Sequence, residues 1–169
     1  KDQLSREEYE KFSNMMKETV ERNDAKNIFP SHTYFGSFFQ NIPRRQDTTN
    51  PISPSFGIFC GYQENEPVAY HVVIFFGATA TYLYGAAYSK SLRSKVTTLL
   101  HWEAMREAKR RGMQYYDLGG IDENLWPTLT EFKRQFRGEE YEYIGNIDIP
   151  MRPLMYRFYN IFKNIKIRK

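Results

Sequence analysis

Hydrophobic positions recur along this chain with two different periods, and the order in which the periods alternate is its most informative property. Tyr9, Phe12, Met16 and Val20 recur at helical spacing and give a first helix one apolar stripe. Ser5-Arg6-Glu7-Glu8 precedes it as a capping box, in which the Ser5 hydroxyl takes the Glu8 N–H and the Glu8 carboxylate reaches back. The stripe ends near Arg22-Asn23-Asp24. A second short helix, capped by Ser31, has Tyr34, Phe35, Phe38 and Phe39 as an aromatic side. Residues 41–54 hold three prolines and the basic pair Arg44-Arg45 and are expected to form a long loop.

The period then changes. Phe56 to Tyr62 alternates as a half-buried strand, and Val68 to Phe76 is nearly all apolar or β-branched, as a central strand buried on both faces would be. Gly77-Ala78 turns into a strand over 80–85. A long helix over Leu92–Arg111 follows, with Leu92, Val96, Leu99, Leu100 and Ala104 expected against the sheet. Next come a strand over Met113–Leu118, the Gly119-Gly120 turn and a short helix over Thr128–Arg137. Glu140 to Ile149 alternates again and predicts a further strand, and Leu154, Phe158, Ile161, Phe162 and Ile165 mark one face of a last helix.

Strand, crossover helix, strand predicts a parallel pair, whereas the strands before it are hairpin-linked and antiparallel. The fold class is therefore α/β, a central mixed sheet flanked by helices. The element order is that of the GNAT acyltransferase fold, whose fourth and fifth strands splay apart and leave a cleft for an acyl donor. Ligands of such sheets gather at the carboxyl ends of the strands. Here those ends are Tyr84-Gly85 and Asp117-Leu118-Gly119-Gly120.

Composition sharpens this picture in two places. The 169 residues suffice for one domain with a real core, and a 17% aromatic share is foreign to disordered chains. Residues 1–150 are expected to form that domain, with 151–169 as a basic amphipathic helix packed on or beside it. The final 19 residues hold six basic groups and no acid, which leaves the first 150 at −2 out of the total +4. That distribution favours a local contact over general nucleic-acid affinity. An anionic membrane surface is the other partner such a helix fits. No apolar run is long enough to span a membrane, so a cytoplasmic location, or the inner membrane surface, is expected. The single cysteine, Cys60, excludes an internal disulfide and a cysteine-rich metal site, and it is expected to be a small buried hydrophobe.

The candidate chemistry lies between residues 82 and 137. Tyr82 and Tyr84 are two apart, so an unbroken strand turns both to one face, where they line the cleft or the core. Lys133 and Arg137 are one helical turn apart beside the apolar stripe of Leu129, Phe132 and Phe136. They either bind an anion or oxyanion or form a solvated basic face. Asp117 is a strand-end acceptor, and Asp122 a turn former or helix cap. His32, His71 and His101 have no spacing that puts two on one face, so no metal site is expected, and His71 fits a core histidine with its hydrogen bonds met. The connection Gly85-Ala-Ala-Tyr-Ser-Lys-Ser-Leu-Arg-Ser-Lys95 has one glycine and bulky residues after it. A pyrophosphate cradle needs closely approaching backbone N–H groups, so coenzyme A is disfavoured as a donor.

Several of these stretches together resemble one family. Tyr82-Leu-Tyr-Gly-Ala-Ala87, Leu99-Leu-His-Trp-Glu-Ala-Met-Arg106, Tyr116-Asp-Leu-Gly-Gly120, and Leu129-Thr-Glu-Phe-Lys133 followed by Phe136-Arg-Gly-Glu139 are similar to the Fem peptidoglycan-bridge aminoacyltransferases. Glu18-Thr-Val-Glu-Arg22 and Tyr34-Phe35 fit the same pattern. The resemblance covers nearly the whole chain and is to the second of the family's two GNAT-like domains, so a first domain upstream is expected. It implies transfer of an amino acid from aminoacyl-tRNA to the stem peptide of a peptidoglycan precursor, with no cofactor. It further implies that Phe132 and Lys133 sit at the acyl-transfer site, and that Tyr82 and Tyr84 line the precursor cleft. Asp117, Gly119, Gly120, Arg137 and His32 complete the expected substrate-binding set. Family members that grip a nucleotide-linked precursor have an arginine before the Tyr-Phe pair. This chain has Ile28-Phe-Pro-Ser-His32 there, with His32 and Lys26 as substitutes, which leaves the carrier open between nucleotide-linked and lipid-linked. Two other readings stay open: a non-catalytic half that holds precursor or RNA, and a coenzyme-A-dependent N-acyltransferase of the same fold.

Overall fold

The computed structural model describes residues 4–23, 32–41, 53–145 and 149–167. It divides into two compact units, residues 1–136 and 137–169. The first unit contains α1 (Arg6–Arg22), α2 (His32–Asn41), β1 (Ser55–Gln63), β2 (Glu66–Phe76), β3 (Thr79–Ala87), a 3-10 turn (Ser89–Ser94), α3 (Val96–Arg110), β4 (Tyr115–Asp117) and α4 (Pro127–Arg134). The second contains α5 (Pro153–Ile167). Among the described residues no helix is long and apolar enough to cross a membrane.

The sheet runs β1-β2-β3-β4, antiparallel between the first three strands and parallel between β3 and β4, as the strand–helix–strand order predicts. β2 is the inner strand covered on both faces. Tyr70 and Val72 turn to α1 and α2 and meet Phe12, Met15, Phe35 and Phe39. Ala69, Val73 and Phe75 turn to α3, where Val96, Leu100, Ala104 and Ala108 cover them. Ser5 and Glu8 form the expected capping box at the start of α1. The buried face of α1 is Phe12, Met15, Met16 and Thr19, with Tyr9 and Val20 packed at its border. Cys60 is half-buried against the same core.

Three expectations are corrected. The long helix begins at Val96, after Lys95 at φ +56°, and this break sets its phase. Val96, Leu100, His101, Ala104 and Ala108 then face inward, while Leu99 and Leu92 point to solvent. The short helix ends at Arg134 rather than Arg137, whose φ of +54° is incompatible with a continuing helix, so the one-turn spacing from Lys133 to Arg137 is broken. The strand expected over 140–149 is absent among its described residues: 140–145 are irregular and exposed, and 146–148 lie outside the described set. Alternation alone does not hold a strand together without a ladder partner. Ser31 and most of the 41–54 loop also lie outside the described residues.

β3 and β4 pair only over Thr79↔Tyr115 to Thr81↔Asp117. Beyond that β3 runs on to Ala87 while β4 stops. The two strands thus part at their carboxyl ends, as the fold expectation requires.

Candidate active site

A β-bulge decides the site's geometry. Val72 pairs with Tyr84 and Val73 with Tyr82, which leaves Leu83 as an extra residue on β3. An extra residue reverses the alternation, so Tyr82 and Tyr84 face opposite sides of the sheet, contrary to the expectation of a shared face. Tyr84 joins the aromatic side of α2: its ring lies 5.0 Å from Phe35 and 5.8 Å from Phe38, and its hydroxyl is 3.2 Å from that of Tyr34. Tyr82 lies on the α3 side, 4.8 Å from the ring of His71 and 4.6 Å from that of His101.

His101 is the hub of a buried polar and aromatic cluster. Its ring is 4.3 Å from His71, 5.8 Å from Phe132 and 5.3 Å from Phe136, and its Nδ1 is 3.1 Å from the Tyr116 hydroxyl. Five elements, β2, β3, α3, β4 and α4, therefore meet at one imidazole. His71 is buried, but its Nδ1 has no hydrogen-bond partner among the described residues, so the expectation of a fully satisfied core histidine fails at that atom. The imidazole pair was not legible in the sequence. Thirty residues separate the two histidines, and they meet only because α3 lies across β2.

Lys133 is the second departure. It is only 7% exposed, so it belongs to no solvated basic face. Its Nζ donates to the Gly120 carbonyl at 2.6 Å. A Cβ placed on Gly119 would lie 3.6 Å from that Nζ and 3.4 Å from the Tyr82 carbonyl, so ammonium, Gly119 and β3 are in contact at the mouth of the splay. Gly119 has φ +77°, and its N–H donates to Asp117 Oδ1 at 2.7 Å. Asp117 is thus the strand-end acceptor that shapes the turn. Asp122 Oδ1 accepts from the N–H groups of Asn124 and Leu125 at 2.8 Å, and Thr130 Oγ1 clasps the Asp122 backbone. Together these bonds fix the loop that leads α4 back to the sheet. Tyr82, Asp117, Gly119, Gly120, Phe132 and Lys133 are accordingly one neighbourhood. Tyr84 is on the opposite face. His32 opens α2 with its side chain outside the described residues, and Arg137 is an exposed residue of the second unit.

Burial governs the titration of this cluster. Desolvation lowers Lys133 below its ordinary value, and Asp117 opposes the shift. Desolvation pushes His101 down to about 4, with the Lys133 ammonium adding to it. Burial, and then His101, hold His71 well below 6.5. Burial raises the hydroxyls of Tyr82 and Tyr116. Both imidazoles are therefore neutral at neutral pH. A histidine lowered in the folded state binds fewer protons there than in the unfolded chain. Stability is accordingly highest above 6.5 and falls as pH drops towards about 4. For His101 alone the loss is on the order of 3 kcal/mol. Urea unfolding followed from about pH 7 to about pH 4.5 is expected to show a falling midpoint, and His101→Gln to flatten that fall. An equal slope in the two proteins would contradict the burial of a neutral imidazole.

The FemAB family model matches residues 58–164, more than half of the chain. No curated protein matches it in sequence. Among solved structures, an aminoglycoside 6'-N-acetyltransferase from Acinetobacter haemolyticus is similar at TM-score 0.59 and 11% identity, over 88% of this chain and 96% of that one. An aminoglycoside acetyltransferase from an uncultured soil metagenomic sample, in complex with sisomicin, gives TM-score 0.57 and 13% identity over 88% and 93%. A transcriptional regulator from Bacillus halodurans gives TM-score 0.60 and 15% identity over 87% and 97%. At such identities the likeness is one of fold, and the fold is the GNAT acyltransferase fold.

Proposed function

The chain belongs to the FemAB family, and from that premise we propose that it transfers an amino acid from aminoacyl-tRNA to the stem peptide of a peptidoglycan precursor. The observation that supports this reading best is the buried Lys133 ammonium at the parting of β3 and β4. A cation held out of water next to a strand opening stabilises charge that develops on a substrate oxygen, and does so more strongly than it would in solvent.

The step is aminolysis of an ester. The stem-peptide amine attacks the aminoacyl carbonyl, negative charge develops on the carbonyl oxygen, and Lys133 answers it. Collapse of the tetrahedral species forms the amide and breaks the ester. The proton lost by the amine is balanced by the one gained by the departing ribose hydroxyl. An aminoacyl ester is already activated, so positioning and charge stabilisation suffice without a covalent enzyme intermediate. In this reading Phe132 and Tyr82 wall the opening on either side of the ammonium, and the Asp117-bonded Gly119-Gly120 turn sets the floor. Tyr84, on the other face, serves the packing of α2 instead. Arg137 and His32 remain candidates for precursor contacts.

The connection after β3 favours this donor over coenzyme A. Ser89 N–H donates to Glu18 Oε1 at 2.6 Å, so a carboxylate occupies one of the amides that a pyrophosphate would need. Hydrogen bonds from Ser89 hold that carboxyl below its ordinary value, and it stays ionised. The test is direct. Radiolabelled aminoacyl-tRNA, precursor and protein are mixed, and label is followed into the precursor, with acetyl-coenzyme A binding measured in parallel by calorimetry. Label in the precursor and no coenzyme A heat is the expected result. Micromolar binding of acetyl-coenzyme A without aminoacyl transfer would replace this function with the other acyl donor.

A further inference from the structure

Two helices of this chain carry an apolar stripe on an otherwise polar surface, and the two stripes end up in different surroundings. In α1 the stripe is covered, with Phe12 and Met15 at 0% exposure. In α5 Leu154, Met155, Phe158 and Ile161 fall within an arc of about 120°. All four are between 55% and 72% exposed, so the described residues leave this face largely uncovered. Sequence spacing continues the stripe with Phe162 and Ile165. A lone helix of 15 residues is marginal in water, and most helical stability comes from what the apolar face packs on. The face of α5 therefore needs a cover.

The charge around the face says what that cover is. α1 mixes acids and bases, as the solvated back of a packed helix does. Residues 151–169 hold Arg152, Arg157, Lys163, Lys166, Arg168 and Lys169 and no acid. The acids of the second unit, Glu139, Glu140, Glu142 and Asp148, all precede Pro150. By helical spacing Arg157 flanks the stripe and Asn160 lies opposite it. Neither Arg152 nor Arg157 has an ion pair among the described residues. Tyr156 and Tyr159 stack on each other with ring centroids 6.4 Å apart, and such amphipathic rings suit a boundary between an apolar and a wet phase. At about 22 Å the helix is shorter than a bilayer core, so it can lie along such a boundary but not cross it.

We propose that α5 docks in the plane of an anionic phospholipid bilayer. Leu154, Met155, Phe158 and Ile161 enter the boundary between headgroups and acyl chains, and Arg152, Arg157 and the lysines that follow meet the lipid phosphates. The apolar side chains supply depth, and the cations supply the preference for anionic lipid and its sensitivity to salt. A protein partner would have to set an acidic rim around an apolar groove in one register. An anionic bilayer presents both features in every orientation about its normal, which suits cations that have no acid among them. The inference does not depend on the aminoacyl transfer proposed above.

The experiment is co-sedimentation of the whole chain with vesicles of phosphatidylcholine, and with vesicles of phosphatidylcholine mixed with phosphatidylglycerol, across a salt series. Binding to the mixed vesicles that weakens with salt, and little binding to the neutral ones, is the expected result. Arg152→Gln/Arg157→Gln is expected to weaken binding about 25-fold, roughly fivefold for each cation near an anionic surface. Arg152→Lys/Arg157→Lys keeps the charge and is expected to keep the affinity. Phe158→Ser/Ile161→Ser is expected to weaken binding by more than about tenfold. Both side chains are exposed, so its thermal midpoint should stay at that of the wild type. No binding to the mixed vesicles, or equal binding to both kinds, would overturn the proposal. So would binding that the charge variant loses and the apolar variant retains, because the stripe would then not enter the bilayer. Light scattering supplies the remaining outcome: a wild type that self-associates, becomes monomeric on Phe158→Ser/Ile161→Ser and binds no vesicle assigns the face to a second copy of the chain and ends the membrane reading.

Discussion

Lys133→Met is expected to lower the rate of aminoacyl transfer by about 10²–10³-fold while the protein stays folded. Methionine keeps the apolar stem and removes the ammonium. The charge is only 7% exposed, so nothing in the solvent replaces it when an oxyanion forms. The structural cost is small for a specific reason. The partner of Nζ is the carbonyl of Gly120, an exposed residue, and water can take that bond. Removing a desolvated cation also removes its desolvation penalty. The signature is therefore a fall in kcat with a thermal midpoint near that of the wild type. Lys133→Arg is not expected to restore activity, because a planar guanidinium does not fit the place of a compact ammonium packed against Gly119. A kcat within threefold of wild type for Lys133→Met would remove Lys133 from the chemistry.

Gly85→Ala is expected to damage both stability and activity. A Cβ at position 85 would lie 1.8 Å from the Tyr82 hydroxyl and 3.2 Å from His71 Cδ2. Tyr82 cannot swing aside without leaving its place against His71 and His101, so one methyl group displaces a side chain from the site wall. Overpacking of this kind costs about 1–3 kcal/mol. A denaturant midpoint and a transfer rate measured on the same protein check both effects. The companion variant Tyr82→Phe removes the clashing oxygen and leaves ring carbon Cζ at 2.9 Å. Tyr82→Phe/Gly85→Ala is expected to be more stable than Gly85→Ala alone, a non-additivity that a double-mutant cycle measures. Strict additivity would show that Tyr82 does not lie over Gly85.

Much of the fold was legible because it is written in local periods. The capping box at Ser5, the amphipathic stripe of α1 and the continuous apolar run of β2 follow from neighbours a few residues apart, and the parallel pairing of β3 with β4 follows from the crossover helix between them. The expected strand over 140–149 failed on the same ground, since its alternation is real but a strand also needs a partner. The break at Lys95 shows how one residue rephases an element. With φ at +56° there, the helix starts four residues later than its apolar pattern suggests, and Leu99 turns outward.

By itself, then, the sequence determined the class of fold, the order and direction of its strands, and the neighbourhood of Gly119, Gly120 and Lys133, because chain connectivity carries α4 back to the strand it has just left. Tertiary structure alone decided that Tyr82 and Tyr84 part to opposite faces, that His71 and His101 stack, and that the Lys133 ammonium is dry. The physical reason is common to all three. A bulge exists only against the register of a neighbouring strand, and the burial of a side chain depends on what distant segments lay over it. Neither is a property of the residues next to it in the chain.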